Sequence, residues 1–269
     1  MTIKKFQELI YTHYKKYGRA LPWRTDCDPY RIFISEVMLQ QTQVARGLVK
    51  FPEFISIFPS CESLARASTT EVLRAWQGLG YNRRALYLKR AAEIIVRDHS
   101  GVIPRDIESL RQLPGIGPNT AASIAVFAYN SPQIFIETNI RTVFLHHFFR
   151  DQKNISDKQL MPLIKRMCDR KNPREWYWAL MDYGTLLKKE QVNPSRRSQH
   201  YTKQSRFEGS VRQLRGQIIK LLIEHTTLTI EKITCLIPTK SVQEIKLVME
   251  QLHAENFVGK KKQRFFLVA

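Results

Sequence analysis

The sequence predicts a mainly α-helical fold, followed near its C-terminal end by a small module of helices and a β-hairpin. Three observations support this prediction. Helix-capping signals recur along the body of the chain, apolar residues follow them at helical spacing, and the chain closes with two apolar runs around a basic turn. With 269 residues, the chain can form one large domain or a large and a small one.

Specific start signals mark the helical body. The Asp28–Pro29 pair is typical of an N-cap with proline in the first helical turn, and Ser68 with Glu71 and Ser156 with Gln159 match the capping-box pattern. The apolar positions that follow recur at helical spacing, for example Leu86, Leu88, Ala91, Ile94 and Ile95. Residues 1–187 are therefore predicted to form one helical domain.

The pattern changes between residues 188 and 207. This stretch contains a proline, many polar groups and almost no apolar period, which predicts a loop. From residue 208 to 269, three amphipathic segments precede FVGKKKQRFFLVA, whose two apolar runs flank a basic turn. The order helix, helix, helix, hairpin indicates a winged-helix-like module, which serves in some proteins to bind DNA and in others to bind protein.

Charge and cysteine usage narrow the class of partner. The chain has 43 Lys and Arg against 24 Asp and Glu, a formal net charge of +19, which favours a polyanionic partner such as nucleic acid. No apolar run of about 18 residues is present, so we expect a cytoplasmic protein without a membrane span. The four cysteines include no C-x-x-C pair, so neither a disulfide framework nor a zinc site is expected.

The segment LPGIGPNTAASIA, residues 113–125, is the most specific local motif. Two predicted helices are joined by a turn whose glycines let backbone N–H groups approach a phosphate, while the next helix adds the positive end of its dipole. A glycine turn between two packed helices is the structural alternative. The candidate DNA-backbone positions of this motif are Gly115, Ile116, Gly117, Asn119 and Thr120.

Two acids stand beside apolar residues. Glu36 lies in a predicted helix with Ile32 and Phe33, where partial burial would raise its pKa and let it carry a proton near neutral pH. Glu137 ends an apolar run and precedes a helix-like segment. Each has a structural alternative: Glu36 as a solvated or ion-paired helix residue, and Glu137 as an acid stabilised by the helix dipole.

The segments PWR, DPY, SEVMLQQTQV, GLGYNRRA and LPGIGPNTAASI, in this order, resemble the adenine DNA glycosylases of the helix-hairpin-helix (HhH-GPD) base-excision superfamily. That superfamily also contains endonuclease III and thymine-mismatch glycosylases. The resemblance implies a two-lobed helical fold and a DNA N-glycosylase, an enzyme that flips a mispaired base out of duplex DNA and hydrolyses its bond to the sugar. Because SEVMLQQT also resembles thymine-mismatch members, the excised base stays open.

The resemblance implies a role for individual residues. Glu36 matches a general acid, and Glu137 stands where the family has an aspartate that supports the sugar cation. Its extra methylene matters, since a misplacement on the order of 1 Å can lower a rate about 10²-fold. Gln41 and Tyr81 match residues that wedge into the base stack. The other candidate substrate-binding positions are Trp23, Arg24, Leu39, Asn119, Asn139 and Asp182. Trp23 and Leu39 equally suit a core.

Two departures from the family concern chemistry. Endonuclease III-like enzymes have a nucleophilic lysine just after the hairpin, where this chain has Asn119, so we expect a monofunctional enzyme without AP-lyase activity. The four cysteines that bind a [4Fe–4S] cluster in most adenine glycosylases match Lys188, Ser195, Ser198 and Gln204. None of these supplies a thiolate, so we expect no cluster and no other metal, although a monovalent cation at the hairpin stays open.

Basic residues outside the motifs complete the predicted DNA contacts. Candidate phosphate ligands are Arg83, Arg196, Arg197 and Lys203, with His200 and Arg206 in the same loop and Lys260, Lys261, Lys262 and Arg264 on the hairpin. We expect a monomer acting on mismatched or damaged duplex DNA, most simply on adenine opposite guanine or 8-oxoguanine. The alternatives are a uracil or thymine mismatch glycosylase and a DNA-binding protein that has lost catalysis.

Overall fold

A computed structural model describes residues 1–203 and 206–268. Over these residues the chain is mainly helical, as predicted from the sequence. The helices before the C-terminal module are α1 Ile3–Tyr17, α2 Pro29–Met38, α3 Val44–Ile57, α4 Cys61–Arg66, α5 Thr69–Ala75, α6 Arg83–His99, α7 Ile107–Gln112, α8 Pro118–Tyr129, α9 Thr138–Phe148, α10 Asp157–Met167 and α11 Pro173–Glu190. Short 3-10 turns occupy Pro22–Arg24 and Pro194–Arg197.

The predicted helix start signals are present. The Asp28 side chain accepts a hydrogen bond of 2.8 Å from the N–H of Arg31 in the first turn of α2. Ser68 and Glu71 form a capping box at the start of α5, and Ser156 and Gln159 form another at the start of α10. These caps satisfy N–H groups that a helix end leaves without partners, so the local sequence determines where these helices begin.

The chain divides into two compact units. The first combines residues 1–36 with 103–203, and the second combines residues 37–102 with the described C-terminal residues from 206. In the first unit, Phe6 of α1 packs edge-on against Phe144 of α9 at 5.5 Å and against Trp176 of α11 at 5.9 Å between ring centres. This aromatic contact ties the N-terminal helix to the helices that carry the candidate site.

The C-terminal module has the predicted order of elements. It comprises α12 Val211–His225, β1 Thr227–Leu228, α13 Ile230–Leu236, α14 Val242–Ala254, β2 Val258–Lys261 and β3 Arg264–Leu267. The three strands form an antiparallel sheet in the order β1-β3-β2. The short strand β1 was not predicted, because two residues are too few for a period-two pattern.

One ion pair joins this module to α6, and one hydrogen bond joins it to Tyr81, just before α6, within the second unit. Glu255 lies 2.8 Å from the guanidinium of Arg83 and 2.5 Å from that of Arg215, while Arg212 donates a hydrogen bond of 3.0 Å to the Tyr81 hydroxyl. Arg83, predicted to contact DNA phosphate, is exposed and pairs with Glu255 of the module. The division of the chain into residues 1–187, 188–207 and 208–269 stays a prediction.

The predicted loop starts later than expected. Helix α11 continues through Glu190, so residues 188–190 are helical and irregular structure begins at Gln191. The reason is packing: Leu187 is buried and Lys188 is half-buried, which keeps the last turn of α11 against the protein.

Among the helices of the described ranges, none has the length and apolarity that crossing a bilayer would require.

Candidate active site

The carboxyl group of Glu36 is partly enclosed near the end of α2. Ser123 of α8 donates a hydrogen bond of 2.5 Å to its Oε2. Burial raises the pKa of Glu36 to about 7; the hydrogen bond from Ser123 opposes this shift, the charge of Glu137 adds to it and the charge of Arg24 reduces it. Glu36 can therefore hold a proton near neutral pH.

The Ser123 hydroxyl lies between two acceptors. Its Oγ is 2.5 Å from Glu36 Oε2 and 3.0 Å from the carbonyl oxygen of Thr120, one turn earlier in α8. A hydroxyl donates one proton and can also accept. It donates to Glu36 when the carboxyl is ionised; when the carboxyl is protonated, Glu36 can donate to Ser123 and Ser123 to Thr120. Glu36 can thus change its protonation state without losing its hydrogen bond.

Glu137 is the N-cap residue of α9. Its Oε1 accepts hydrogen bonds from the backbone N–H groups of Asn139 at 2.8 Å and Ile140 at 3.0 Å, and its Oε2 accepts one from Asn139 Nδ2 at 3.2 Å. The capping role that the sequence left open as a structural alternative is therefore present. The same contacts hold the carboxyl group in one orientation, which is also what a catalytic group needs.

The two acids thus experience opposite environments. Glu36 is half-buried next to one hydroxyl, whereas Glu137 accepts three N–H donors at a helix N-terminus. Their charges interact, because Glu137 contributes to the raised pKa of Glu36. Two carboxyl groups in such different environments can divide acid catalysis and charge stabilisation between them.

Helix α11 supports the start of α9 at close range. A Cβ atom on Gly184 would lie 2.4 Å from the carbonyl oxygen of Asn139, so only glycine permits this approach. One turn later, Lys188 donates a hydrogen bond of 2.7 Å from Nζ to Asn139 Oδ1. Burial lowers the pKa of Lys188 and the charge of Glu137 partly restores it. Asn139 is therefore held between Glu137 and α11.

Asp182 is enclosed by two arginines and is 4 % exposed. Arg24 donates to both carboxylate oxygens at 3.0 Å, and Arg19 donates from Nε at 2.7 Å. Burial would raise the pKa of Asp182, but hydrogen bonds and charge from Arg24 and hydrogen bonds from Arg19 hold it below its ordinary value. An effect of Asp182 on a bound base would therefore act through Arg24. Trp23 is buried in the adjoining 3-10 turn, while Leu39 is half-buried.

In the second unit, the buried guanidinium of Arg84 connects two loops. Gln41 and Tyr81 stand in these loops with left-handed backbone angles, φ +54° and +48°, and are exposed at the surface. A non-glycine residue in this region is strained, and such strain concentrates at functional sites. The Arg84 side chain donates to the carbonyl oxygens of Val37, Met38, Gln40, Leu79 and Gly80 and to the hydroxyl of Thr42.

The glycine turn joins α7 and α8 as the motif predicted. Gly115 has φ +78°, which requires glycine, whereas a Cβ on Gly117 would meet no atom within 4 Å. The open space at Gly117 lets an external group approach the backbone. Ile116 differs from the prediction, because its N–H donates to the Leu113 carbonyl at 3.1 Å and its side chain is buried. Asn119 is exposed in the first turn of α8, which also contains Thr120.

Comparison with known proteins decides the family. Residues 34–170 match the HhH-GPD superfamily of base excision DNA repair proteins. The adenine DNA glycosylase of Mycobacterium tuberculosis is 35% identical over 240 residues, which cover 78% of this chain and 75% of that relative. This chain belongs to the HhH-GPD superfamily. The adenine DNA glycosylase of Buchnera aphidicola is 32% identical over 192 residues, 70% of this chain and 54% of that relative.

A solved structure shows the same HhH-GPD fold. A thermostable thymine-DNA glycosylase superposes with a TM-score of 0.61 at 24% identity, over 68% of this chain and 86% of that one. At this identity the likeness concerns the fold alone. The helical HhH-GPD fold that the sequence motifs implied is thereby confirmed.

Positions that match the cluster ligands of other HhH-GPD proteins do not fit an iron–sulfur cluster here. Lys188 binds Asn139, Ser195 Oγ lies 2.6 Å from the buried hydroxyl of Thr142, and Ser198 Oγ accepts from the N–H of His200 at 3.0 Å. These are amine and hydroxyl groups, whereas such clusters are held by thiolates. Gln204 lies outside the described residues, within which no group of three potential metal-ligating side chains occurs.

Hydrogen bonds order the segment that follows α11. Ile155 donates from its N–H to the Arg197 carbonyl at 3.0 Å and accepts at 3.0 Å from the N–H of Gln199. The Arg197 side chain donates to the Arg150 carbonyl. Arg197 is half-buried, while Arg196 and Lys203 are exposed. The basic side chains of the C-terminal hairpin, Lys260, Lys261, Lys262 and Arg264, are exposed as well.

Within the first unit, the structure places Glu36, Glu137, Asn139, Arg24 and Asp182 in one network of contacts and charges. Sequence reasoning did not single out Ser123, Arg84 and Gly184, which support the candidate site or the loops that contain Gln41 and Tyr81. It considered Lys188 only as the match to a cluster cysteine. Ser123 and Arg84 lie inside the motifs LPGIGPNTAASI and GLGYNRRA, which were compared with the family as complete segments. The G-x-x-x-K spacing in α11 indicates that Gly184 and Lys188 share one helix face.

Proposed function

We propose that this protein is a monofunctional DNA glycosylase of base excision repair that flips a mispaired adenine out of duplex DNA and hydrolyses its N-glycosidic bond. Guanine or 8-oxoguanine is the proposed opposite base, and an abasic site is the product. The observation that carries the proposal is the enclosed carboxyl of Glu36, whose pKa is raised to about 7 beside the capped carboxylate of Glu137. The names of the relatives support adenine as the excised base.

The two carboxyl groups divide the chemistry. Glu36 donates its proton to the departing base while the bond between the base nitrogen and C1′ breaks and its electron pair leaves with the base. The sugar becomes oxocarbenium-like, and the ionised carboxylate of Glu137 stabilises its positive charge. Water then adds to C1′ and its proton returns to the Glu36 carboxylate, which restores the acid. In this scheme the N-cap contacts of Glu137 compensate for its extra methylene.

Strand cleavage is not part of the proposal. AP-lyase chemistry needs an amine nucleophile, and the position after the glycine turn is occupied by Asn119, whose amide is not nucleophilic. Borohydride treatment during turnover therefore traps no covalent DNA adduct. A trapped adduct, or strand scission without alkali, would contradict this part of the proposal.

Recognition of DNA is proposed to combine backbone and base contacts. The backbone at Gly117, Asn119 and Thr120, with exposed Arg196 and Lys203, binds phosphates, while Gln41 and Tyr81 enter the base stack. The net charge of +19 supports such binding, whose affinity falls with salt at a slope of about −0.9 per phosphate contacted. We further propose a monomer without a [4Fe–4S] cluster, acting in the cytoplasm wherever DNA is accessible.

A panel of duplexes tests the proposal. Duplexes with a single A·8-oxoG, A·G, T·G, U·G or hypoxanthine lesion are incubated with the full-length protein and then treated with alkali to cleave abasic sites. Cleavage at adenine is expected. Cleavage at uracil or thymine would identify a different mismatch glycosylase, and binding without cleavage on every duplex would identify a DNA-binding protein.

Variants of the two acids test the assignment of roles. E36Q and E137Q are each expected to lower the single-turnover excision rate by about 10²–10⁴-fold while DNA affinity is retained. Exposed Glu250 provides the matched control, because E250Q removes a carboxylate from α14 outside the candidate site. Excision by E36Q at the rate of E250Q would remove Glu36 from the mechanism.

A further inference from the structure

Lys188 occupies a position where cluster-binding relatives have a cysteine, and it makes a different contact there. Its Nζ donates a hydrogen bond of 2.7 Å to Asn139 Oδ1. The side chain is half-buried in the last turns of α11. A half-buried ammonium group is only partly hydrated, so it needs hydrogen-bond acceptors from the protein. The contact with Asn139 is therefore a defined interaction and not a solvated surface pair.

The contact decides the orientation of the Asn139 amide. An asparagine side chain presents an acceptor on one side and donors on the other, and its neighbours select which side faces where. Lys188 has donors only, so Oδ1 faces Lys188. Nδ2 then faces Glu137 Oε2, at 3.2 Å. With the amide reversed, two donors would meet at Lys188 and two acceptors at Glu137.

The backbone of α11 makes the contact possible. Gly184 lies one turn before Lys188 and lets the helix approach the Asn139 carbonyl more closely than any side chain would permit. Lys188 and Gly184 therefore share the face of α11 that contacts the start of α9. The charge of Glu137 also acts favourably on Lys188, while Arg141, a nearby cation, is itself paired with Asp157 at 2.8 Å.

We propose that Lys188 is a positioning residue for base excision, which fixes the Asn139 amide so that it donates to the carboxylate of Glu137. The inference rests on the proposed function of Glu137 and adds a residue to it. Lys188 touches no reacting atom in this scheme. Its effect reaches the reaction through Asn139, and through the orientation of one carboxylate oxygen.

Substitution of Lys188 tests the proposal against a matched neighbour. K188M keeps the length of the side chain and removes its donors, while K189M removes the same charge from the exposed adjacent residue. At saturating protein, K188M is expected to lower the single-turnover excision rate between about ten- and a hundredfold relative to K189M. The two variants should have equal dissociation constants for DNA, since each loses one charge, and K188R should recover part of the rate.

The proposal is overturned if K188M excises within about twofold of K189M, or if K188R recovers none of the rate lost in K188M. K188Q provides the same comparison if K188M does not fold. A double-mutant cycle with N139A locates the effect: K188M should change the rate little in the N139A background. An equal loss in both backgrounds would show that Lys188 does not act through Asn139.

A readout that needs no catalysis separates this inference from the proposed function. The side-chain amide protons of Asn139, observed by NMR, should be protected from exchange in the wild type and in K189M and lose protection in K188M. If the wild type excises no base from any duplex, the proposed function fails, and unchanged protection in K188M would separately refute the positioning by Lys188.

Discussion

Ser123 donates a hydrogen bond of 2.5 Å to the carboxyl group of Glu36, which lies 87 residues earlier in the chain. Burial raises the pKa of Glu36 to about 7, and this hydrogen bond opposes the shift because it stabilises the ionised form.

S123A is expected to raise the pKa of Glu36. The excision rate should fall as pH rises through the pKa of the acid. S123A should move this decline upward by about one to two pH units, since a hydrogen bond to a charged group is worth about 1.5–3 kcal/mol. Single-turnover rates from pH 5 to 9 give the profile. S35A is the control, because the buried Ser35 hydroxyl donates only to its own helix, at Ile32. A decline at unchanged or lower pH would contradict the contact.

E36Q is expected to stabilise the protein at high pH, although it lowers the excision rate. Between the ordinary pKa of 4.5 and the raised value of about 7, the folded state binds more protons at Glu36 than the unfolded state, so wild-type stability falls as pH rises through this interval. The gain in E36Q should be at most about 3 kcal/mol at pH 8 and near zero at pH 4. Urea unfolding at both pH values measures it. A difference independent of pH would contradict the raised pKa.

G184A is expected to displace α11 from the start of α9. The new Cβ would lie 2.4 Å from the Asn139 carbonyl oxygen, so backbone must move, at a cost of about 1–3 kcal/mol in the free energy of unfolding. Excision should fall at least about tenfold, since Asn139 and Glu137 move with it. G216A in α12 is the control, because a Cβ there meets no atom within 4 Å and alanine favours the helix by about 0.5–1 kcal/mol. Equal melting temperatures for both variants would count against the close approach.

R84K is expected to loosen two loops together. An ammonium group cannot span the acceptors that the planar guanidinium binds on both sides. Carbonyl groups in both segments therefore lose a donor, among them those of Met38 and Leu79. The free energy of unfolding should fall by at least about 2 kcal/mol, and amide exchange should accelerate in both segments. R90K changes an exposed residue of the same helix and should change neither quantity. Faster exchange in one segment alone would show that Arg84 does not link them.

Iron analysis tests the proposed absence of a cluster. Protein produced in iron-rich medium should contain far less than one iron per chain, and a chelator should leave excision unchanged, because Lys188, Ser195 and Ser198 supply no thiolate. Iron and acid-labile sulfide in cluster stoichiometry, with the broad visible absorbance of a cluster, would overturn the expectation.

Much of the fold could be predicted because its signals are local. Capping boxes at Ser68 and Ser156 and the left-handed glycine at position 115 operate within a few residues, so the sequence alone places these helices and the hairpin turn. The motif order likewise indicated the superfamily before any contact was known. The end of α11 was misplaced, because burial of Leu187 and Lys188 depends on residues distant in sequence.

The sequence by itself determined which residue types stand at the candidate site and which are missing: two acids, a glycine turn, no cluster cysteines and a large positive charge. Only the tertiary structure decided their states. Ser123 contacts Glu36 across 87 residues of sequence, and Lys188 contacts Asn139 across 49. Arg84 binds carbonyl groups both near residue 38 and near residue 79. The physical reason is that burial and hydrogen-bond partners, which set the pKa and orientation of an acid, come from chain segments brought together by packing.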